Sequence, residues 1–174
     1  MPDTVDLRSY VRDVPDFPKP GILFRDVTPL LGDAHALAAA VAALAEPFRT
    51  SGVQKVMGIE SRGFVFGTPV ALALGAGFTL VRKAGKLPWR TRSVTYDLEY
   101  GSDTVEMHED ALRQGERVLV VDDLIATGGT AAAAVQLARD AGAVVVGCAF
   151  LIELTALDGR QRLGVDDVHV LLRY

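Results

Sequence analysis

The segment Val118-Leu-Val-Val-Asp122-Asp123-Leu-Ile-Ala126-Thr127-Gly128-Gly129-Thr130 concentrates more chemistry than any other stretch of the chain. Four apolar residues read as a buried strand, and two adjacent carboxylates stand at its end. A short loop of Thr and Gly follows. Such a loop brings backbone N–H groups close to an anion. It opens onto a predicted helix, whose positive dipole end favours phosphate. Thr127 and Thr130 add hydroxyl donors. Carboxylates beside a phosphate cradle would repel the phosphate itself, so Asp122 and Asp123 suit neutral hydroxyls, such as those of a ribose, or a metal. The bland alternatives are a helix-capping acidic loop or the acidic metal pocket of a receiver domain. A receiver places its acidic pair early and an acceptor Asp at a later strand end. Here the pair is late, and the next acid, Asp140, falls within a helical pattern.

Other chemistries are excluded by pattern. Neither G-x-x-x-x-G-K-[ST] nor G-x-G-x-x-G occurs. Gly58-Ile-Glu60-Ser61-Arg62-Gly63 is one residue too long for the G-x-S-x-G nucleophile elbow. His35, His108 and His169 are isolated, and the single Cys148 has no partner for a disulfide or a zinc site.

Charge points to the same kind of ligand. The chain carries 18 Lys and Arg against 22 Asp and Glu, a net charge of −4, which disfavours general affinity for nucleic acid. Yet no acid occurs between Glu60 and Asp97, an interval holding Arg62, Arg82, Lys83, Lys86, Arg90 and Arg92. A charge run is commonly a solvated face. Here Gly85, Pro88 and Trp89 interrupt it, and Arg82 and Lys83 end an apolar run. A site for a small, highly charged anion fits better.

The elements that must position these residues follow from periodicity. A short helix is expected over Val5–Val14, then an extended, turning segment set by Pro15, Pro18, Pro20 and Gly21. Asp33 reads as the N-cap of a helix with Leu37, Val41, Leu44 and Phe48 on one face, and Pro47 should distort its last turn. Strands are predicted at Lys55–Ile59, Phe78–Arg82, Arg117–Val121, Val144–Ile152 and Val168–Leu172, with helices at Gly63–Leu74 and Gly129–Ala141. Thr95–Glu99 and Thr104–His108 read as a hairpin. The unalternating runs at 118–121 and 144–146 mark strands covered on both faces, as in a parallel sheet. The expected fold is an open, mainly parallel α/β sheet flanked by helices, with an inserted hairpin, and ligands bind such sheets at the carboxyl ends of strands.

With 174 residues, the chain is expected to be one domain. Its longest apolar runs, Val70–Val81 and Ala143–Ile152, are too short to span a bilayer. The acidic N-terminus lacks the apolar core of a signal peptide, so a cytoplasmic protein is expected.

The acid pair with Thr127-Gly128-Gly129-Thr130 resembles the 5-phosphoribosyl 1-pyrophosphate (PRPP) motif of the type I phosphoribosyltransferases. Further segments resemble the adenine phosphoribosyltransferases in order, from about Val14 to the C-terminus. Phe17-Pro-Lys-Pro-Gly-Ile-Leu23-Phe24-Arg25-Asp-Val-Thr-Pro-Leu-Leu31 is similar to the purine-recognition segment. Gly58–Gly67 is similar to the pyrophosphate loop. Leu80–Pro88 and Tyr96–Gly101 are similar to the flexible catalytic loop, and Glu153–Arg160 to the C-terminal segment. Trp89–Ser93 lies in the variable part of that loop.

The resemblance implies a type I phosphoribosyltransferase fold. It divides the single 1–174 domain into an N-terminal purine-binding segment, 1–32, and a flexible loop with hairpin, 83–108. It implies transfer of the phosphoribosyl group of PRPP to N9 of adenine, giving AMP and pyrophosphate in purine salvage, by a cytoplasmic homodimer. Alternatives are the same chemistry on another purine base, or a non-catalytic PRPP-binding regulator of transcription. The regulator would need a nucleic-acid surface, and 174 residues at net −4 leave no room for an appended helix-turn-helix. Mg²⁺ is the implied cofactor, bound mainly through substrate and water rather than protein ligands.

By resemblance, Ala126, Thr127, Gly128, Gly129 and Thr130 hold the 5′-phosphate, and Asp122 and Asp123 reach the ribose hydroxyls. Glu60, Ser61, Arg62, Arg82, Lys83 and Lys86 form the pyrophosphate side, with a cis Glu60–Ser61 peptide bond. Ser61 equally suits a helix N-cap. Leu23 and Arg25 bond the purine edge through their backbones, and Phe24 stacks on the ring; composition alone would also place Phe24 in the core. Glu99 is the implied general acid or base at N7 of the purine, although its alternation with Asp97 also suits a solvated strand face.

Overall fold

The computed structural model describes residues 5–98 and 101–174, so Glu99 lies outside the described residues. Nine strands and four α-helices build the molecule among them. β1 (Arg12–Pro15) and β2 (Leu23–Asp26) form a small antiparallel sheet. The short α1 (Thr28–Gly32) leads into α2 (Ala34–Ala45). Then come β3 (Lys55–Ile59), α3 (Arg62–Leu74), β4 (Gly77–Lys83), the hairpin β5 (Thr91–Asp97) and β6 (Ser102–His108), β7 (Arg117–Ile125), α4 (Gly129–Asp140), β8 (Val144–Glu153) and β9 (Val168–Arg173).

The main sheet has the order β5-β6-β4-β3-β7-β8-β9. The strands β4, β3, β7, β8 and β9 run parallel, and β6 and β5 extend the sheet antiparallel. Period-2 alternation sorts the buried strand residues into two layers. Met57, Val118 and Val120 face α4 and pack with Ala134, Leu137 and Ala138. Val56, Leu119 and Val121 face the opposite side and pack with Ala40 and Leu44 of α2 and Phe66 and Val70 of α3. Both faces are covered, which explains why β3, β7 and β8 show apolar runs instead of alternation.

The Asp33 carboxylate caps α2 by accepting from the Ala36 N–H at 2.8 Å. Pro47 does not distort that helix. It lies in a separate 3-10 turn, Glu46–Phe48, after α2 has ended. The expected helix at Val5–Val14 is a correction: only Leu7–Tyr10 forms a 3-10 turn, and Arg12–Pro15 pairs with Leu23–Asp26. A partner strand returned by the proline-rich turn outcompetes a marginal short helix.

The larger correction concerns β7. It does not end at Val121 but runs to Ile125, because β8 keeps pairing with it through Ile125↔Glu153. Its other neighbour stops earlier, since the last β3–β7 pair is Gly58↔Val121. Asp122 and Asp123 therefore sit in a strand end that projects past β3. The space beside that projection is the crevice at the carboxyl ends of the sheet.

Candidate active site

A cleft of about 340 Å³ occupies this crevice. Its lining brings together the predicted Glu60, Ser61, Arg62, Lys83, Asp122 and Asp123 with the whole 126–130 loop. Arg82 and Lys86 do not line it directly, but both bond the Glu60 carboxylate at its edge. Leu23, Phe24 and Arg25 stand on the separate small sheet, linked to the cleft by Arg62, whose guanidinium carbon lies 5.8 Å from the centre of the Phe24 ring.

The 126–130 loop is shaped by backbone contact. Gly128 has φ +81° and stands at the N-cap of α4. A Cβ at Gly128 would come within 2.2 Å of the Gly159 carbonyl oxygen. A Cβ at Gly159 would come equally close, 2.2 Å, to the Ala126 carbonyl oxygen. Two glycines thus let the 3-10 turn Gly159–Arg162 press against the loop from behind. That turn is tied down by Arg160, which bonds both carboxylate oxygens of the nearly buried Glu153, at 3.0 and 2.8 Å, and the Val168 carbonyl at 2.8 Å. The first N–H groups of α4 have no partner within the helix, so the braced loop presents fixed donors to an anion.

The acid pair is asymmetric because neighbouring strand residues face opposite ways. Asp123 is bonded by Arg62 Nε. Asp122 accepts the Asp123 N–H at 2.9 Å and lies against Gly63, where an added Cβ would meet its Oδ1 at 2.9 Å. Burial, reinforced by the neighbouring Asp123 charge, pushes the Asp122 carboxyl well above the usual carboxylate range.

The basic side is built from ion pairs. Glu60 accepts from Lys86, from the Lys83 N–H at 3.0 Å and from Arg82 at 3.3 Å. Burial opposes its charge, but these donors outweigh it and hold the carboxyl below its usual range. Lys83 pairs with Asp103 of β6, which raises the lysine and lowers the acid. The Glu60–Ser61 peptide bond is cis. Ser61 stands at the N-cap of α3, yet its side chain makes no capping bond.

On the small sheet, the Arg25 guanidinium is taken up by Asp13 and lies over the Tyr174 ring at 4.0 Å. Phe24 meets Phe17 edge-on at 5.1 Å. Each strand of that two-stranded sheet has one unpaired edge, which offers backbone donors and acceptors.

Sequence reasoning assigned no role to Gly159, Tyr96 or Asp103. Tyr96 Oη lies 2.9 Å from Thr130 Oγ1, and its ring covers Gly129. The strand alternation around Tyr96 is visible in the sequence, but its packing on α4 is not.

A braced loop with free N–H donors beside an acid pair and a cluster of cations is an arrangement that suits a phosphorylated sugar. The phosphoribosyl transferase domain family matches residues 30–171. An adenine phosphoribosyltransferase from Solibacter usitatus is 57% identical over 97% of this chain and 98% of its own length. The crystal structure of adenine phosphoribosyltransferase from Rhodothermus marinus superposes with a TM-score of 0.92 at 56% identity, covering 97% of this chain and 96% of that one. The Saccharomyces cerevisiae enzyme, complexed with an imino-altritol bisphosphate and adenine, gives a TM-score of 0.91 at 41% identity, with 97% of each chain covered. The chain belongs to the phosphoribosyltransferases and, within them, to the adenine phosphoribosyltransferase family of enzymes.

Proposed function

We propose the following division of roles in the transfer of the phosphoribosyl group of PRPP to N9 of adenine. The N9 lone pair forms the new bond to ribose C1. The bond from C1 to the pyrophosphate oxygen breaks, and its electrons leave with pyrophosphate. The amides of Ala126–Thr130 and the hydroxyls of Thr127 and Thr130 hold the 5′-phosphate. Asp122 and Asp123 accept from the ribose hydroxyls. Arg62, Arg82, Lys83 and Lys86 exchange their carboxylate partners for pyrophosphate oxygens, with Glu60 and Ser61 shaping that side. Glu99 takes the proton from N7 as the purine becomes bonded at N9. Leu23 and Arg25 read the purine edge through their backbones, and Phe24 stacks on it. The engagement of the Arg25 side chain by Asp13 and Tyr174 supports a backbone role there.

Among the described residues no group of three or more His, Cys, Asp or Glu could hold a metal. Of the three acids lining the cleft, Glu60 and Asp123 are already paired with cations, and Asp122 is pushed toward its protonated form. This donor set fits Mg²⁺ carried by pyrophosphate oxygens and water, not a protein cage. Bound so, Mg²⁺ would supply Lewis-acid neutralisation of the leaving group's charge.

The enzyme is one domain in which the N-terminal segment 1–32 binds the base and the flexible loop and hairpin 83–108 act as a lid excluding water. It works as a homodimer in the cytoplasm. The dimer is supported by the family resemblance and by Val65 and Leu72, exposed apolar residues seven apart on one face of α3. No helix among the described residues is long and apolar enough to cross a membrane.

The carrying observation is the meeting of the braced 126–130 loop, the acid pair and the cations in one cleft. The test is AMP formation from PRPP, Mg²⁺ and adenine, with hypoxanthine, guanine and xanthine in parallel. Turnover with adenine alone is expected. Turnover with an oxo-purine instead would overturn the base assignment, and PRPP binding without turnover on any base would turn the reading to a regulator.

A further inference from the structure

Tyr174 follows β9 and leaves the main sheet at the end where the cleft lies, because β9 runs parallel to β8 and β7. Its backbone is fixed there. The Tyr174 N–H donates to the Glu153 carbonyl at 2.9 Å, and the Tyr174 carbonyl accepts from the Thr155 N–H at 2.9 Å and from Thr155 Oγ1 at 2.8 Å. Two guanidinium groups of the N-terminal segment lie over its ring, Arg25 at 4.0 Å and Arg8 at 4.3 Å from the centroid. Arg8 also donates to the Arg173 carbonyl at 2.7 Å. One ring thus gathers the 3-10 turn Leu7–Tyr10 and the strand β2 against the carboxyl end of β9.

These contacts matter because β1 and β2 are otherwise lightly attached. Among the described residues no hydrogen bond or ion pair joins them to the seven-stranded sheet. Their charged side chains are spent locally: Arg25 pairs with Asp13, Arg12 with Asp26 at 3.6 Å, and Asp26 accepts from Thr28. None of their residues belongs to the buried core clusters. Two contacts of an arginine with an aromatic ring span the gap: Arg62 with Phe24 at 5.8 Å, and Arg25 with Tyr174 at 4.0 Å. The attraction of a cation for a ring weakens with distance, so the second is the tighter. It is also the steadier. Arg62 is paired with Asp123 and belongs to the proposed pyrophosphate side, whereas Tyr174 has no part in the proposed substrate contacts.

We propose that Tyr174 is a positioning residue for base recognition. Its ring holds the Arg25 guanidinium, and so sets where β2 places the backbone groups of Leu23 and Arg25 and the ring of Phe24. The inference rests on the proposed reading of the purine by those three residues. Backbone groups select a base by hydrogen bonds, which weaken steeply when donor and acceptor are displaced. A two-stranded sheet with few ties to the body holds such groups in register only if something pins it. The aromatic ring beyond β9 is that pin, and it acts on the base side of the site without touching the 126–130 loop.

The test measures KM for adenine, KM for PRPP and kcat in Tyr174→Leu, Tyr174→Phe, Arg25→Met and Phe24→Ala. Leucine keeps apolar bulk but offers no ring face, and phenylalanine keeps the ring. Tyr174→Leu should raise KM for adenine about three- to tenfold with KM for PRPP unchanged, and Tyr174→Phe should restore the wild-type value. Arg25→Met reaches the same contact from the other side, so it tests the inference even if Tyr174→Leu fails to fold. It should give the same split, and the double variant should lose less than the two single losses combined. KM for adenine unchanged in Tyr174→Leu but raised in Phe24→Ala would overturn the role of Tyr174 and leave the purine segment standing. Both KM values rising together would make Tyr174 a merely structural residue and overturn it equally. Phe24→Ala leaving KM for adenine unchanged would overturn the reading of the purine segment, and this inference with it.

Discussion

At the 126–130 loop the recognition surface is backbone, held by the contacts of Gly128, Ala126 and Gly159 that admit no side chain. Across the cleft, at Arg82, Lys83 and Lys86, it is long side chains, each already holding a carboxylate of Glu60 or Asp103. On the proposed roles, the two regions would bind parts of one substrate by opposite means. Backbone donors lose almost no conformational freedom on binding, so the proposed 5′-phosphate side would work as a fixed anchor. Lysine and arginine side chains must break one ion pair to make another, so the proposed pyrophosphate side would exchange partners. That suits the reaction, because the 5′-phosphate stays on the product while pyrophosphate departs.

The comparison can be broken from either side. On the proposed acid–base role, Glu99→Gln should lower kcat by about 10²- to 10⁴-fold with AMP affinity nearly unchanged. Equal losses in both, measured by steady-state kinetics and AMP titration, would remove the acid–base role. Gly159→Ala acts on the fixed anchor. Its Cβ would force the Ala126 carbonyl aside, and a displacement of about 1 Å costs on the order of 10²-fold in rate. Overpacking should also lower stability by about 1–3 kcal/mol, visible as a reduced Tm. A Gly159→Ala enzyme of normal stability and PRPP use would show that the brace is not needed.

Asp123→Asn lies between the two regions, since it frees Arg62 and, on the proposed role, weakens an acceptor for ribose. KM for PRPP should rise about tenfold with the fold intact, and unchanged kinetic constants would contradict the role. The smallest effect is in pH. Asp103 is held below its ordinary value of 3.8, mainly by Lys83. A lowered acid contributes stability that is present above the unfolded value and lost as pH falls through the folded one. Because Lys83 is 55% exposed, the contribution should stay under about 1 kcal/mol. Thermal unfolding from pH 6 down to pH 3 should be slightly less steep in Asp103→Asn than in the wild type; an identical slope would show the pair contributes nothing.

Much of this was legible in the sequence. Lys55–Ile59 forms the strand expected of it, and Asp33 caps the helix it was expected to cap. The 126–130 loop runs into the first turn of α4, as the Thr-Gly-Gly-Thr pattern requires. Those features depend on neighbours within a few residues, through alternation, capping and glycine backbone freedom. The end of β7 was misread because its length is set by β8, not by its own residues. The strand at Arg12–Pro15 was misread because its partner lies across a turn.

By itself, then, the sequence determined the parallel α/β class, the anion loop and the family, because each is written in local pattern and residue type. Only the tertiary structure decided that Gly159 braces the loop, that Tyr96 reaches Thr130, and that every cation of the basic interval lining or edging the cleft has a carboxylate partner. Such contacts join segments far apart in the chain. They follow from strand register and backbone approach, which no local window of residues specifies.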